Sequence, residues 1–147
     1  MFFKTLNIIH VFLVLGLAAL GAASFFFGVG FVNQFSMSGD VYIYIIPTLA
    51  LLGYFTSNYI FRKQLSTIDR KESLQSKQAK YQSAVILKYA FIEGPALFAF
   101  MQFMNQGYTL YFTIGACLTI YLASLKPSKS KVVEELQLNN KEQEELK

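Results

Sequence analysis

The chain has 147 residues, enough for one domain; 54 % are hydrophobic and 16 % aromatic. Its charges are concentrated between Arg62 and Lys80 and after Leu125, so long stretches carry almost none. The net charge of +4 flanks apolar runs, where lysine and arginine set topology and meet anionic headgroups, and this excludes nucleic-acid binding.

Four apolar segments follow one another: about residues 5–32, 41–61, 81–104 and 108–125. A helix crossing roughly 30 Å of hydrocarbon needs about 20 residues at 1.5 Å each, a length the fourth segment only just approaches. The first begins like a signal peptide, with Lys4 ahead of it and Ala22-Ala23-Ser24 as a cleavage-like stretch. Its apolar run continues through Phe25-Phe26-Phe27-Gly28-Val29, longer than an ordinary signal core, so it is expected to stay as a spanning helix. It is rich in small residues, among them Gly16, Ala19 and Ala23, with small-xxx-small pairs at Ala18/Ala22 and Ser24/Gly28. Such residues let helices approach closely in lipid, within a bundle or between protomers.

The connection Asn33 to Asp40 has no lysine or arginine, and neither has Asn105 to Gly107. By contrast, Arg62 to Lys80 carries Arg62, Lys63, Arg70, Lys71, Lys77 and Lys80 against Asp69 and Glu72, and the tail adds Lys126, Lys129 and Lys131. The positive-inside rule then puts both termini and the basic connection in the cytoplasm. Leu65, Ile68 and Leu74 lie loosely on one amphipathic face, so part of this connection is expected to extend the third helix. The expected fold is all-α: a four-transmembrane-helix bundle, N-in and C-in. Residues 1–126 form the membrane domain and 127–147 a charged, solvated cytoplasmic tail. In that tail Val132, Val133, Leu136 and Leu138 suggest a short helix, and Asn140 is expected to N-cap a second one. Tyr42, Tyr44, Tyr59, Tyr81, Tyr108 and Tyr111 fall at span ends, as interfacial aromatics do. Cys117, the single cysteine, permits no intrachain disulfide and reads as a small packing residue.

Glu93 falls at the middle of the third span, where a carboxylate costs about 2.5–3.5 kcal/mol on insertion scales. Counting at 1.5 Å per residue puts Lys88 about 7–8 Å nearer the cytoplasm, in one layer with His10 and Asn58. Lys88 and Glu93 are about 140° apart around an ideal helix, so Lys88 is expected to snorkel rather than pair with Glu93. Partners for Glu93 should come from other helices: Tyr54, Cys117, Tyr121 and His10 lie at suitable depth. Pro95 frees the carbonyl of Phe91, predicting a kink there, with Gly94 allowing close approach of another helix. Two readings follow: a neutral acid locking the bundle by a hydrogen bond, or a carboxylate that takes an ion, proton or ligand. His10 lacks further ligands at metal-binding spacing, so neither metal nor cofactor is expected. No nucleophile-base set, phosphate-cradling glycine loop or redox CxxC is present, which points away from an enzyme.

The early His10, the run Lys88-Tyr-Ala-Phe-Ile-Glu-Gly-Pro-Ala-Leu-Phe98, the short outer turn and Lys126-Pro-Ser together resemble a group of four-span membrane proteins of Bacteroidetes-type bacteria. That resemblance covers nearly the whole chain and implies an inner-membrane location without a known activity. Separately, Gly16-Leu-Ala-Ala-Leu-Gly-Ala-Ala23 and Phe91-Ile-Glu93 are similar to the two helices of rotor-ring c subunits of ATP synthases, which would make Glu93 a proton or sodium site. Here an additional span separates the two helices, and Pro95 and Lys88 depart from that family's pattern, so this likeness is read as convergence on small-residue packing. The expected role is a non-enzymatic structural or accessory subunit, in a homo-oligomer or a larger membrane complex. The alternative is an ion or small-solute translocator using Glu93.

Overall fold

The computed structural model describes residues 2–32 and 39–146. Most of the connection between the first two apolar segments therefore lies outside the described residues. The chain is all-α: α1 (Phe2–Phe27), α2 (Tyr42–Ser66), α3 (Leu74–Gln106), α4 (Thr109–Ser124), α5 (Lys129–Leu136) and α6 (Asn140–Glu145). No strand occurs among the described residues, only an isolated bridge between Val32 and Tyr108. α1, α2 and α3 are long and apolar enough to cross a membrane; α4 joins them as a fourth span only when taken together with α5, across a 79° bend. By itself α4, with 16 residues, is about 24 Å long.

α3 is the central helix, packed against α1, α2 and α4, while α1 and α2 each also touch α4. Its buried side chains, Tyr81, Val85, Tyr89, Ile92, Ala96, Ala99 and Phe103 among them, recur at three and four residues, as a helix facing a core requires. The ring of Phe100 sits where three helices meet. A Cβ added at Gly21 of α1 would stand 3.0 Å from that ring, and one at Gly115 of α4 would stand 2.8 Å from it. Two glycines thus make room for one phenylalanine.

The connection between α2 and α3 is short. α2 continues to Ser66, and Ser73 N-caps α3 by accepting from the Ser76 backbone N–H. The third helix thus begins seven residues ahead of its apolar run. Leu65, Ile68 and Leu74 pack on the core, but not as one helical face extending α3: Leu65 belongs to α2, Ile68 to the connection and Leu74 to the start of α3. α3 then continues through Pro95 as one helix.

The tail departs from the expectation of a solvated appendage. Val132, Leu136, Leu138 and Leu146 are buried in the same apolar cluster as Phe61, Tyr81 and Val85. Burying these side chains against the bundle removes apolar area from water, which α5 and α6, short as they are, could not do alone. The cap of α6 is Asn139, one residue earlier than expected. Its side chain accepts from the Glu142 N–H while Glu142 accepts from the Asn139 N–H, forming a capping box.

The helices are tied together at the end of the bundle where α3 turns into α4. Gly107 ends α3 with φ +74, and a Cβ there would come 2.2 Å from the carbonyl oxygen of Gly30, so both backbone and space demand glycine. The Val32 N–H donates to the Gly107 carbonyl at 2.9 Å, and the Val29 N–H to that of Met104 at 3.2 Å. Asp40 accepts from the Tyr42 N–H at 3.0 Å and from the Tyr111 hydroxyl, joining the start of α2 to α4. Tyr108 and Tyr111 are buried there, and Tyr81 at the opposite end of α3 is buried under the tail, unlike interfacial belt residues, whereas Tyr44 and Tyr59 do face outward.

Candidate functional site

The polar residues of the inner layer do not converge on one site; they divide among three places. His10 is 4 % exposed, and its Nε2 donates to the carbonyl of Leu122 at 2.9 Å. Its ring lies 5.4 Å from that of Tyr89, whose hydroxyl donates to the Leu125 carbonyl at 2.9 Å. The last carbonyls of a helix lack intrahelical donors. Tyr89 from α3 satisfies the Leu125 carbonyl, and His10 from α1 adds a second donor to the Leu122 carbonyl, which also accepts from the Leu125 N–H at 3.0 Å, where α4 ends and the chain turns into Lys126-Pro127. The expected partners of His10, Asn58 and Glu93, are thus replaced by a helix end. His10 Nδ1 is buried without a hydrogen-bond partner.

Asn58 and Tyr54 belong to a second place, between α2 and α4. The Asn58 side-chain amide donates to the Tyr54 carbonyl at 3.0 Å and to the Tyr121 hydroxyl at 3.4 Å, and the rings of Tyr54 and Tyr121 lie 5.2 Å apart. Cys117, expected in the packing, is exposed beside an apolar groove that Tyr54, Leu51 and Ile114 also line.

Glu93 stands apart from both. It is half-buried, one position beyond the buried Ile92, and among the described residues it has no hydrogen-bond or ion-pair partner. The expected interhelical lock through Tyr54, Cys117, Tyr121 or His10 is not made within this chain. Gly94 beside it is exposed, and a Cβ there would meet nothing within 4 Å, so close helix approach does not occur at Gly94. It occurs one helix away, at Gly53 of α2. A Cβ at Gly53 would lie 2.5 Å from the Phe91 carbonyl oxygen and 2.8 Å from the Pro95 ring. That carbonyl is the one Pro95 leaves without its helical donor. The bare Cα of Gly53 packs directly against it, an arrangement that favours a weak Cα–H···O contact.

The small residues of α1 also divide. Gly21 and Ser24 are buried, and Gly28 packs on the Met104 backbone, so the Ser24/Gly28 pair is a true contact. Gly16, Ala18, Ala19 and Ala22 are exposed and Ala23 is half-buried, so the packing expected of Gly16 and Ala19 is not made within the chain. A stripe of small residues is ambiguous by about one helical step, and the larger Leu6, His10 and Leu17 decide which face turns inward.

Lys88 belongs to a third place. Its Nζ lies 4.6 Å from the centroid of the Phe61 ring, a cation–π distance. It lines a cavity of about 180 Å³ enclosed by α2, α3 and the tail, with Tyr81 and Tyr89 in its wall. Lys126, Lys131 and Glu135 also line it, all on tail segments that sequence reasoning treated as solvated. Tyr81 donates its hydroxyl to Glu135 at 2.6 Å. The usable signal was the i, i+4 pair Val132 and Leu136, which turns α5 onto the bundle and carries Lys131 and Glu135 with it. Nearby, the ammonium of Lys77, 2 % exposed, pairs with Glu142 at 2.6 Å. That ammonium and the Asn139 N–H hold the Glu142 carboxyl below its ordinary value. On the connection before α3, Lys80 and Ser76 hold Glu72 down to about 2.

No protein family matches the chain, and no curated protein or solved structure matches it either.

Proposed function

We propose that the protein is a non-enzymatic subunit of the bacterial inner membrane. In this reading it is a four-span, N-in and C-in bundle, bent at Pro95, that acts by packing its helices against another chain. The observation that carries the reading is the outward face of α1 and α2. Phe12, Leu15, Phe26, Phe27, Leu51, Leu52 and Phe55 are all more than half exposed, and Gly16, Ala18, Ala19 and Ala22 lie on α1's outer side among them. Large apolar side chains suit lipid, whereas small ones interspersed with them suit a second helix approaching closely. A half-buried Glu93 with no partner in its own bundle fits the same picture, since a partner chain can supply the donor. Native mass spectrometry after mild detergent extraction tests the proposal: a homo-oligomer or a defined complex is expected, and a lone monomer under all mild conditions would sink it.

Glu93 also supports a second reading, an ion or small-solute translocator. Among the described residues its carboxylate stays uncommitted, whereas His10 is bonded to a helix end and Lys88 is turned into the cavity. Glu93→Gln in reconstituted liposomes should abolish a proton- or sodium-dependent flux; a mutant equal to wild type removes this reading.

A further inference from the structure

The cavity at Lys88 has a composition that the packing role leaves unexplained. Three lysines line it, Lys88 from α3, Lys126 from the α4–α5 turn and Lys131 from α5, against one carboxylate, Glu135. The ion pairs among the described residues are Lys77–Glu142 and Lys80–Glu72, so none of the three lysines has a carboxylate within pairing distance. Glu135 is held instead by the Tyr81 hydroxyl at 2.6 Å. Three cations against one carboxylate leave about 180 Å³ with an excess of positive charge that a further anion would offset. Lys88 is half-buried over the Phe61 ring, a position in which its ammonium is short of water and gains most from a counter-charge.

The place of the cavity indicates which anion. It lies where α3 passes from the charged connection into its apolar run, and Phe61, Val85 and Leu125 form an apolar part of its wall. A group bound there must be anionic at one end and compatible with hydrocarbon at the other. Basic pockets between spanning helices on the cytoplasmic side are suited to the phosphates of anionic lipids. We propose that this cavity binds the phosphate of an anionic phospholipid headgroup, with Lys88, Lys126 and Lys131 as its cations and the docked tail as one wall. Lys88 is the deep contact, and Lys126 and Lys131 close over the phosphate from the cytoplasmic side. Glu135 opposes the bound charge and limits affinity.

The full-length protein in detergent is titrated with phosphatidylglycerol or phosphatidylcholine, and retained lipid is counted by native mass spectrometry. Each lysine near a membrane surface contributes about fivefold in lipid affinity; with Glu135 offsetting one of the three, phosphatidylglycerol should exceed phosphatidylcholine by about 25-fold. Lys88→Gln and Lys131→Gln should each lower phosphatidylglycerol retention about fivefold, and Glu135→Gln should raise it. Lys141→Gln, on α6 away from the cavity, should change nothing. Because Lys131 is exposed, its variant keeps the test open even if Lys88→Gln fails to fold. Equal retention of the two lipids overturns the proposal, as does phosphatidylglycerol binding that ignores Lys131→Gln. Millimolar inorganic phosphate should not displace the lipid; full displacement, with phosphate binding to lipid-free protein, would overturn the lipid assignment in favour of a free anion.

Discussion

The ion pair between Lys77 and Glu142 should govern whether the tail stays on the bundle, and Glu142→Gln tests this. One carboxylate oxygen meets Lys77 Nζ at 2.6 Å, and the other accepts from the Asn139 N–H at 2.9 Å. Glutamine can keep the capping geometry, so the loss is confined to the charge facing Lys77. A hydrogen bond to a charged group contributes about 1.5–3 kcal/mol. Leaving a buried ammonium unpaired would cost about 3–5 kcal/mol, more than releasing six residues of α6. The chain should therefore take the cheaper route and undock. A loss of about 2 kcal/mol raises the open fraction about 30-fold. Amide exchange over residues 138–146 should rise by that factor, while the α3 amides around Ile92 stay unchanged. Lys77→Met should do less damage, because the freed Glu142 can reach water. Acid should mimic the mutation. The Glu142 pKa is lowered in the folded chain, so its contribution is complete above the ordinary value of about 4.5 and is lost as pH falls through the lower folded value. Tail protection, corrected for intrinsic exchange, should be flat from about pH 5 to 7 and fall below about 4, and Glu142→Gln should abolish that fall. Equal tail exchange in wild type and Glu142→Gln at neutral pH would refute the reasoning.

Gly53→Ala places a methyl group 2.5 Å from the Phe91 carbonyl oxygen and should cost about 1–3 kcal/mol in thermal stability in detergent micelles. Gly94→Ala, immediately before Pro95 but facing open space, should be neutral or stabilise by up to about 1 kcal/mol; the reverse ranking would contradict the packing described for α2 and α3. Gly107→Ala meets both a positive φ and the Gly30 carbonyl, so it should lower the unfolding midpoint by more than the roughly 1–2 kcal/mol of backbone strain alone. Glu72, held down to about 2 chiefly by Lys80, supports the start of α3 above about pH 4.5 and loses that effect as pH falls toward 2. Exchange at residues 76–80 should follow that titration, and Lys80→Gln should flatten it.

Which polar residues meet was much less legible than where the helices run. His10, Asn58 and Lys88 share a layer by simple depth counting, with Glu93 slightly deeper, but depth is one coordinate, and rotation about each helix axis decides contact. His10 turns toward α4, Asn58 toward Tyr121, and Glu93 away from both. Gly53 shows the same limit. It is an ordinary glycine in the sequence, and only the approach of α2 to the Pro95-freed carbonyl gives it a reason.

Hydropathy and charge segregation were enough to read an all-α chain with several apolar helices long enough to cross a membrane. Each of those signals is local: it depends on residues within one turn or one span. The burial of the tail, the exposure of Gly16 and Ala19, the missing partner of Glu93 and the lysine-lined cavity depend on pairs far apart in the chain. Lys77 and Glu142 are 65 positions apart, and His10 and Leu122 are 112 apart. Contacts of that kind arise only when several helices settle their rotations together, because each buried face limits the choices of its neighbours. In this protein the tertiary structure therefore decided the cavity, and with it the tail became a wall of the site.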